Sequence, residues 1–272
     1  MFTGLMTDTW IAGTLMALVA GVVGFFVVIR RAAFAAHVLP LGAFPGAAAA
    51  SLLGMNSLVG LVAFAGLGAL GIGQLERWGR RDVATALWLA ASLALGTLFL
   101  SMTRQYSQQV YALLFGEVLG VSESAMVSVA ALSVVAIAAM AILFRPLLLD
   151  SVSPELCQAA GASSGRMELA FLAVLAISTA MVLPVVGALM VFSLMVGPAS
   201  CARALTDEPH SAVVLSVGLS LATVWSAIAL SYLSNWPVGF FVGALGALSY
   251  TAGRIYRRFA SPSATLQGGS AK

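Results

Sequence analysis

The chain alternates between long stretches without Asp, Glu, Lys or Arg and short clusters of charged residues. Six of these apolar stretches hold 21, 44, 21, 21, 34 and 45 residues, and their boundaries are Asp8 and Arg30, Arg31 and Glu76, Asp82 and Arg104, Glu123 and Arg145, Glu168 and Arg203, and Glu208 and Arg254. Roughly 20 helical residues cross a bilayer core about 30 Å thick. The lengths therefore predict one, two, one, one, two and two crossings, or about nine transmembrane helices.

The composition supports the same interpretation. Apolar residues make up 61% of the chain and charged residues 8%. So few charged residues cannot cover an apolar core with a water-soluble surface. Barrel strands alternate polar and apolar residues, whereas these stretches are uniformly apolar, which favours helices. We expect an all-α, polytopic transmembrane bundle in a lipid bilayer, with a membrane domain at residues 1–260 and a disordered cytoplasmic tail at 261–272.

The basic residues predict an orientation. With nine crossings and the N-terminus outside, twelve of the thirteen Lys and Arg residues fall on one face, and only Arg104 falls on the other. The positive-inside rule makes the basic face cytoplasmic. This predicts a multi-pass protein of the cell or inner membrane with its C-terminus in the cytoplasm. The net charge of +3 then belongs to the inner rim, and no nucleic-acid partner is expected. Eight crossings remain an alternative, but an even number would break this pattern.

Two segments are too short for ordinary crossings. Residues 169–202 cannot hold two full crossings and a turn, so we expect two short or discontinuous helices that meet near residues 184–187. Residues 110–120, on the outer side, predict a short helix that dips into the membrane and returns. Such segments survive only against protein or a water-filled cavity, and broken helices often border a solute path.

Small residues and prolines inside the spans predict a compact bundle. Glycines at close-packing intervals include Gly42, Gly46, Gly66, Gly68, Gly71, Gly73, Gly239 and Gly243. Small residues at such intervals let helix backbones approach each other. Pro40, Pro45, Pro184 and Pro198 each remove a backbone donor, which bends or breaks a helix.

The sequence lacks the residues that several enzymatic functions need. Lys272 is the sole lysine, so the chain has no phosphate-binding loop that ends in Gly-Lys-Ser/Thr. It has two histidines, His37 and His210, no H-E-x-x-H motif and no G-x-S-x-G motif. We therefore expect a protein that is not an enzyme, binds no permanent cofactor and takes any ATP-derived energy from a separate subunit.

The cytoplasmic connection between Arg145 and Glu168 holds signals for a short helix outside the bilayer. Ser153 is a capping residue, Pro154 suits the first helical position, Glu155 lies in the first turn and Gly161 is a stop signal. An ordinary interfacial helix would show the same signals, so from the residues alone both interpretations stand.

This segment, Ser153-Pro-Glu-Leu-Cys-Gln-Ala-Ala-Gly161, resembles the D-x-E-F-A-x-x-x-G coupling segment of the zinc/manganese/iron class of ATP-binding-cassette importer permeases. Ser153, Leu156 and Cys157 depart from the family residues, whereas Glu155 and Gly161 match. Three further segments are similar to motifs of the same family. Arg30-Arg-Ala-Ala-Phe34 followed by Phe44-Pro-Gly46 resembles R-x-x-x-F and a later L-P-G, and Leu114-Phe-Gly-Glu-Val-Leu-Gly-Val-Ser122 resembles L-F-G-x-I-L-x-V-S. Val186-Gly-Ala-Leu-Met-Val-Phe-Ser-Leu-Met-Val-Gly-Pro-Ala199 is similar to V-G-x-L-L-V-x-A-L-L-x-x-P-A.

The resemblance implies the membrane-spanning permease subunit of an ATP-driven importer for a divalent metal ion, with zinc or manganese favoured. Two cytoplasmic ATPase subunits would dock on the segment that holds Ser153, Pro154, Glu155, Leu156 and Gly161. An extracytoplasmic metal-binding protein would deliver the ion to a path along a homodimer interface. A permease for a metal chelate, and a membrane scaffold protein without a transport path, remain alternatives.

His37 is the first candidate metal residue. The family places an acid and a histidine four residues apart, but here His37 stands at the acid's position and Leu41 at the histidine's, so the paired ligands on one helix face are absent. His37 either contributes to the path as a ligand or lining group, or makes a polar contact near the start of its helix.

Glu117 is the second candidate. It lies in the short outer segment where the family usually has a small polar residue. A carboxylate there could meet a hard or borderline cation that enters from outside. The alternative is an acid at the membrane interface that faces water.

Overall fold

The computed structural model describes residues 5–76, 81–102, 123–159, 161 and 163–260. Within these ranges every regular element is a helix, which confirms the all-α prediction. The predicted tail at 261–272 and the predicted dipping helix at 110–120 lie outside the described residues.

Ten helices form the described part of the chain. They are α1 (Leu5–Ile29), α2 (Ala33–Leu52), α3 (Ser57–Glu76), α4 (Arg81–Ser101), α5 (Glu123–Val152), α6 (Pro154–Ala159), α7 (Ser164–Val186), α8 (Ala188–Leu205), α9 (Pro209–Ser234) and α10 (Val238–Ala260).

The lengths of these helices agree with a polytopic bundle. Seven of them, α1, α2, α3, α5, α7, α9 and α10, are long and apolar enough to cross a membrane. Helices α4 and α8 contain the shorter apolar segments Thr85–Ser101 and Met190–Leu205. The described residues therefore hold nine apolar helices, two of which have a shorter apolar segment, together with the six-residue helix α6.

The helix boundaries follow most of the charge spacing. Residues 53–56 divide the 44-residue stretch into two helices, and residues 235–237 divide the 45-residue stretch. The 34-residue stretch is broken at Gly187, as expected, and a φ of +87° there favours glycine. Pro40 and Pro45 lie inside α2 without interrupting it.

The end of α5 differs from the expectation. The charge pattern predicted that the connection would begin at Arg145, whereas α5 continues through Pro146 to Val152. Leu147, Leu148 and Leu149 extend the apolar surface, and the next charged residue, Asp150, is buried against Arg30. A paired charge does not need to leave the protein, so the helix continues past the predicted boundary.

Three helices form the centre of the bundle. The spans of α1, α2 and α7 are the most buried of the seven. Helix α1 packs against α5, α8 and α9, and α2 packs against α3, α4, α7 and α8. Large buried side chains, among them Phe25, Phe26 and Phe171, fill the space between them.

Glycines allow several of these helices to touch through their backbones. A Cβ atom at Gly46 in α2 would overlap the carbonyl of Gly60 in α3, and one at Gly197 in α8 would overlap the backbone of Gly246 in α10. This confirms the expected close packing at Gly46. Gly66 in α3, by contrast, has open space on its side-chain face.

Candidate transport path and coupling helix

His37 lies in the second turn of α2, and its ring faces the neighbouring helix α8. The ring meets Phe192 edge-on, with centroids 5.3 Å apart and planes at 77°. Its Nδ1 atom is buried and has no hydrogen-bond partner among the described residues. A neutral imidazole nitrogen is a common metal ligand. A buried nitrogen without a partner can accept a cation without losing an existing hydrogen bond.

The contact partner of His37 lies near the break between α7 and α8. Phe192 follows the break at Gly187 by five residues. Pro184 and Pro40 have no N–H, so the carbonyls of Ala180 and Ala36 lack the usual donor four residues later. Broken helices in a membrane bundle often border a solute path. His37 therefore contacts a helix that begins at such a break.

The described residues contain no group of three or more His, Cys, Asp or Glu side chains that could enclose a metal ion. Leu41, one turn after His37, supplies no ligand. Met181 is buried, and its sulfur accepts a hydrogen bond from Ser133 Oγ at 3.0 Å, which is a packing role.

The other histidine and the second candidate are placed differently. His210, at the start of α9, is exposed and stacks on Phe144 with centroids 5.2 Å apart. Glu117 lies outside the described residues, so the structure does not relate it to His37.

The predicted short helix is confirmed as α6, Pro154–Ala159. Ser153 precedes it, and the Leu156 N–H lies 3.4 Å from Ser153 Oγ. Gly161 follows with a φ of +83°, and its N–H donates to the Gln158 carbonyl at 2.9 Å. Glu155 and Leu156 are exposed, so one face of α6 is free to meet another subunit.

The opposite face of α6 is attached to the bundle. Cys157 is 1% exposed and lies beside the Asp150 carboxylate at the end of α5. Burial, and next the negative charge of Asp150, raise the pKa of the Cys157 thiol, against a smaller lowering effect of Arg30. The thiol therefore stays protonated at neutral pH, which makes it a packing residue and not a thiolate metal ligand.

A buried ionic cluster, which sequence reasoning missed, lies next to α6. Arg30 at the end of α1 places its Nη2 atom 2.9 Å from Asp150 Oδ2 and also contacts the Glu168 carboxylate in α7. The Arg30 and Asp150 side chains are 7% and 2% exposed. Arg30 Nη1 lies 3.5 Å from Ser151 Oγ, and the guanidinium lies 5.4 Å from the centre of the Phe171 ring. The signal in the sequence that could have indicated this cluster is Asp150, an acid within the largely apolar residues 146–152.

These contacts place several helix ends at the same end of the bundle. The Arg30 cluster joins the end of α1, the end of α5 and the start of α7. An aromatic chain from Phe26 through Phe144 to His210 adds the start of α9. The relative placement of these ends agrees with the predicted topology.

Within the described residues, nine apolar helices, two of which meet at the Gly187 break, and a short helix at one end define a polytopic helical membrane protein. The sequence profile of the ABC 3 transport family matches residues 3–256. The chain belongs to this family.

Characterised relatives cover most of the chain. It is 26% identical over 238 residues to the manganese transport system membrane protein MntC of Listeria innocua. The aligned region covers 87% of this chain and 85% of the relative. It is also 25% identical over 231 residues to the high-affinity zinc uptake system membrane protein ZnuB of Buchnera aphidicola. That aligned region covers 84% of this chain and 88% of the relative.

Solved structures share the fold. PsaBC from Streptococcus pneumoniae, solved in complex with Fab, superposes with a TM-score of 0.83 and 21% identity over 92% of this chain and 91% of the other. An inward-facing protein proposed to be a metal-chelate type ABC transporter superposes with a TM-score of 0.68 and 14% identity over 94% and 88%.

Proposed function

We propose that this chain is the permease subunit of an ATP-driven importer for a divalent metal ion, with manganese or zinc as the favoured substrate. The observation that carries the proposal is the match of the family over residues 3–256. Relatives named for manganese transport and for zinc uptake support the substrate class. The permease contributes geometry and no covalent chemistry.

The remaining parts of the importer follow from this assignment. ATPase subunits dock on α6 through the exposed face that carries Glu155 and Leu156. The cluster of helix ends beside α6 then faces the cytoplasm, the N-terminus lies outside and the C-terminus inside. An extracytoplasmic metal-binding protein delivers the ion, and two copies of the chain form the path between them.

Inside the path, His37 acts as a ligand or lining group for the passing ion. Its buried Nδ1, which has no partner within the described ranges, and its position against α8 near the Gly187 break support this role. Polar or ionisable groups inside a membrane are costly and commonly functional. Glu117 would meet the ion at the outer entrance.

A permease for a metal chelate is the second candidate. The similarity in fold to the protein proposed to be a metal-chelate type transporter is compatible with it. A scaffold without a transport path has no comparable observation in its favour.

Uptake by proteoliposomes that contain the chain and its ATPase partner tests these roles. With the metal-loaded binding protein outside and ATP inside, we expect Mn²⁺ or Zn²⁺ to accumulate. His37→Ala and Glu117→Ala should each lower uptake about tenfold, the effect of losing roughly 1.4 kcal/mol of interaction. The matched control His210→Ala removes an exposed imidazole and should leave uptake unchanged.

Two outcomes would change the interpretation. Uptake that both variants leave intact would remove His37 and Glu117 from the path. Uptake of a chelated metal but not of the free ions would favour the second candidate.

A further inference from the structure

The two carboxylates that Arg30 contacts lie on either side of α6 in the sequence. Asp150 precedes Ser153 at the end of α5, and Glu168 follows Gly161 in the second turn of α7. Arg30 Nη2 contacts both. A single guanidinium therefore holds the two chain segments from which α6 projects.

The cluster is buried, so its geometry is tightly constrained. The Arg30, Asp150 and Glu168 side chains are 7%, 2% and 18% exposed. Removing one partner from a buried ion pair leaves an uncompensated charge, which is strongly destabilising. The pairing therefore favours joint movement of the three groups when one of their helices is displaced.

Arg30 also lies at the connection between α1 and α2. Arg31 has a φ of +55°, and the Ala32 N–H donates to the Val27 carbonyl at 2.9 Å. Helix α2 begins at Ala33, and His37 follows one turn later. Only Arg31 and Ala32 separate Arg30 from the start of α2, so a displacement of Arg30 reaches α2 through a tight turn.

We propose that Arg30 is the positioning residue that transmits movement of α6 to α2, through its contacts with Asp150 and Glu168. This inference rests on the proposed function, because it assumes that ATPase subunits move α6. Helix α6 follows α5 after Ser153 alone, and the Ser153 N–H donates to the Leu149 carbonyl at 2.9 Å. Asp150, in the last turn of α5, therefore ties the segment that carries α6 to Arg30.

The number of metal ions transported per ATP hydrolysed measures this transmission. In proteoliposomes with the ATPase partner and loaded binding protein, Asp150→Asn and Glu168→Gln should keep ATP hydrolysis within about twofold of wild type. The ratio of ions to ATP should fall about tenfold, within the usual range of coupling free energies between sites. Arg30→Gln should lower the ratio in the same way. Arg30→Lys keeps the positive charge, so its ratio should recover more than half of the difference between Arg30→Gln and wild type.

The matched control is Asp207→Asn. Asp207 pairs with Arg203 at 3.8 Å in an exposed position after α8, so its loss should leave the ratio unchanged. If Asp150→Asn does not fold, Glu168→Gln and Arg30→Lys decide the question, since Glu168 is more exposed and Lys retains the charge.

A merely structural cluster would give a different result. The variants would then lower the yield of folded complex, but the ions transported per ATP would stay at the wild-type value, and this would overturn the proposal. A wild-type complex that transports no metal at all would overturn the proposed function together with it.

Discussion

Among the described residues, Arg30 and His37 differ in whether their buried polar atoms have a charged partner. Arg30 is paired with Asp150, as the cost of an isolated charge in an apolar interior demands. His37 has a buried nitrogen without a partner in the part of the chain that the structure describes. The Arg30 pair holds helix ends together, and the proposed role of His37 uses its open nitrogen for the passing ion.

Cys157 reports on the charge of Asp150. In a Cys201→Ala background, we expect maleimide to label Cys157 slowly at neutral pH, because burial and the Asp150 carboxylate raise the pKa of the thiol. The rate should keep rising as the pH passes the ordinary range of thiols. Asp150→Asn should increase the rate severalfold at neutral pH, since the carboxylate no longer disfavours the thiolate.

The denatured protein serves as the control for Cys157. Both forms should react equally fast in denaturant, where the fold no longer acts on the thiol. Rapid labelling of the folded wild-type chain, unchanged by Asp150→Asn, would show that the carboxylate has no influence on Cys157. The raised pKa of Cys157 also affects the free energy of unfolding. Because the fold favours the protonated thiol, the thiol's contribution to stability is lost as the pH rises through the raised pKa.

At the scale of helices, backbone contact through glycine sets the position of α2 against α3. Gly46 and Gly60 face each other so closely that a Cβ on either would overlap the carbonyl of the other. Backbone atoms cannot rotate away as a flexible side chain can. The pair therefore fixes the place at which the two helices cross.

Two glycines of α3 offer a matched comparison. Gly60→Ala should destabilise the protein by about 1–3 kcal/mol, because the methyl group would overlap the backbone of α2. Gly66→Ala meets open space and should be neutral, or stabilising by up to about 1 kcal/mol through helix propensity. Thermal unfolding in the same detergent measures both. Equal stability of the two variants would rule out a tight crossing at Gly60.

Most helices could be predicted from the sequence because charges are expensive in lipid and helix length is tied to bilayer thickness. Helix α6 could be predicted from its capping residues, and the break at Gly187 from the shortness of the stretch around it. The end of α5 could not, since Asp150 was expected to face water and is instead paired with Arg30. A tertiary contact there outweighs the local pattern.

At the scale of the whole molecule, the site depends on contacts that span the chain. Arg30 and Glu168 lie 138 residues apart in the sequence, and His37 faces Phe192 of a distant helix. Such pairings cannot be inferred from spacing. His37 could be selected as a candidate because it stands where the resembling family places an acid, but its surroundings required the fold.

The bundle as a whole has no phosphate-binding loop for ATP, since Lys272 is the sole lysine. In the proposed importer the ATPase docks on α6, and the Arg30 cluster holds together the helix ends on either side of α6. Transport would then depend on force that arrives at this one small helix.

Metal uptake by proteoliposomes, with the ATPase partner present or omitted, tests this dependence most directly. We predict that Mn²⁺ or Zn²⁺ accumulates only when the partner and ATP are both present. Leu156→Asp on the exposed face of α6 should abolish accumulation and co-purification of the ATPase, whereas Leu205→Asp at the end of α8 should not. Accumulation against a gradient by the chain alone, or full activity of Leu156→Asp, would refute a permease driven through α6.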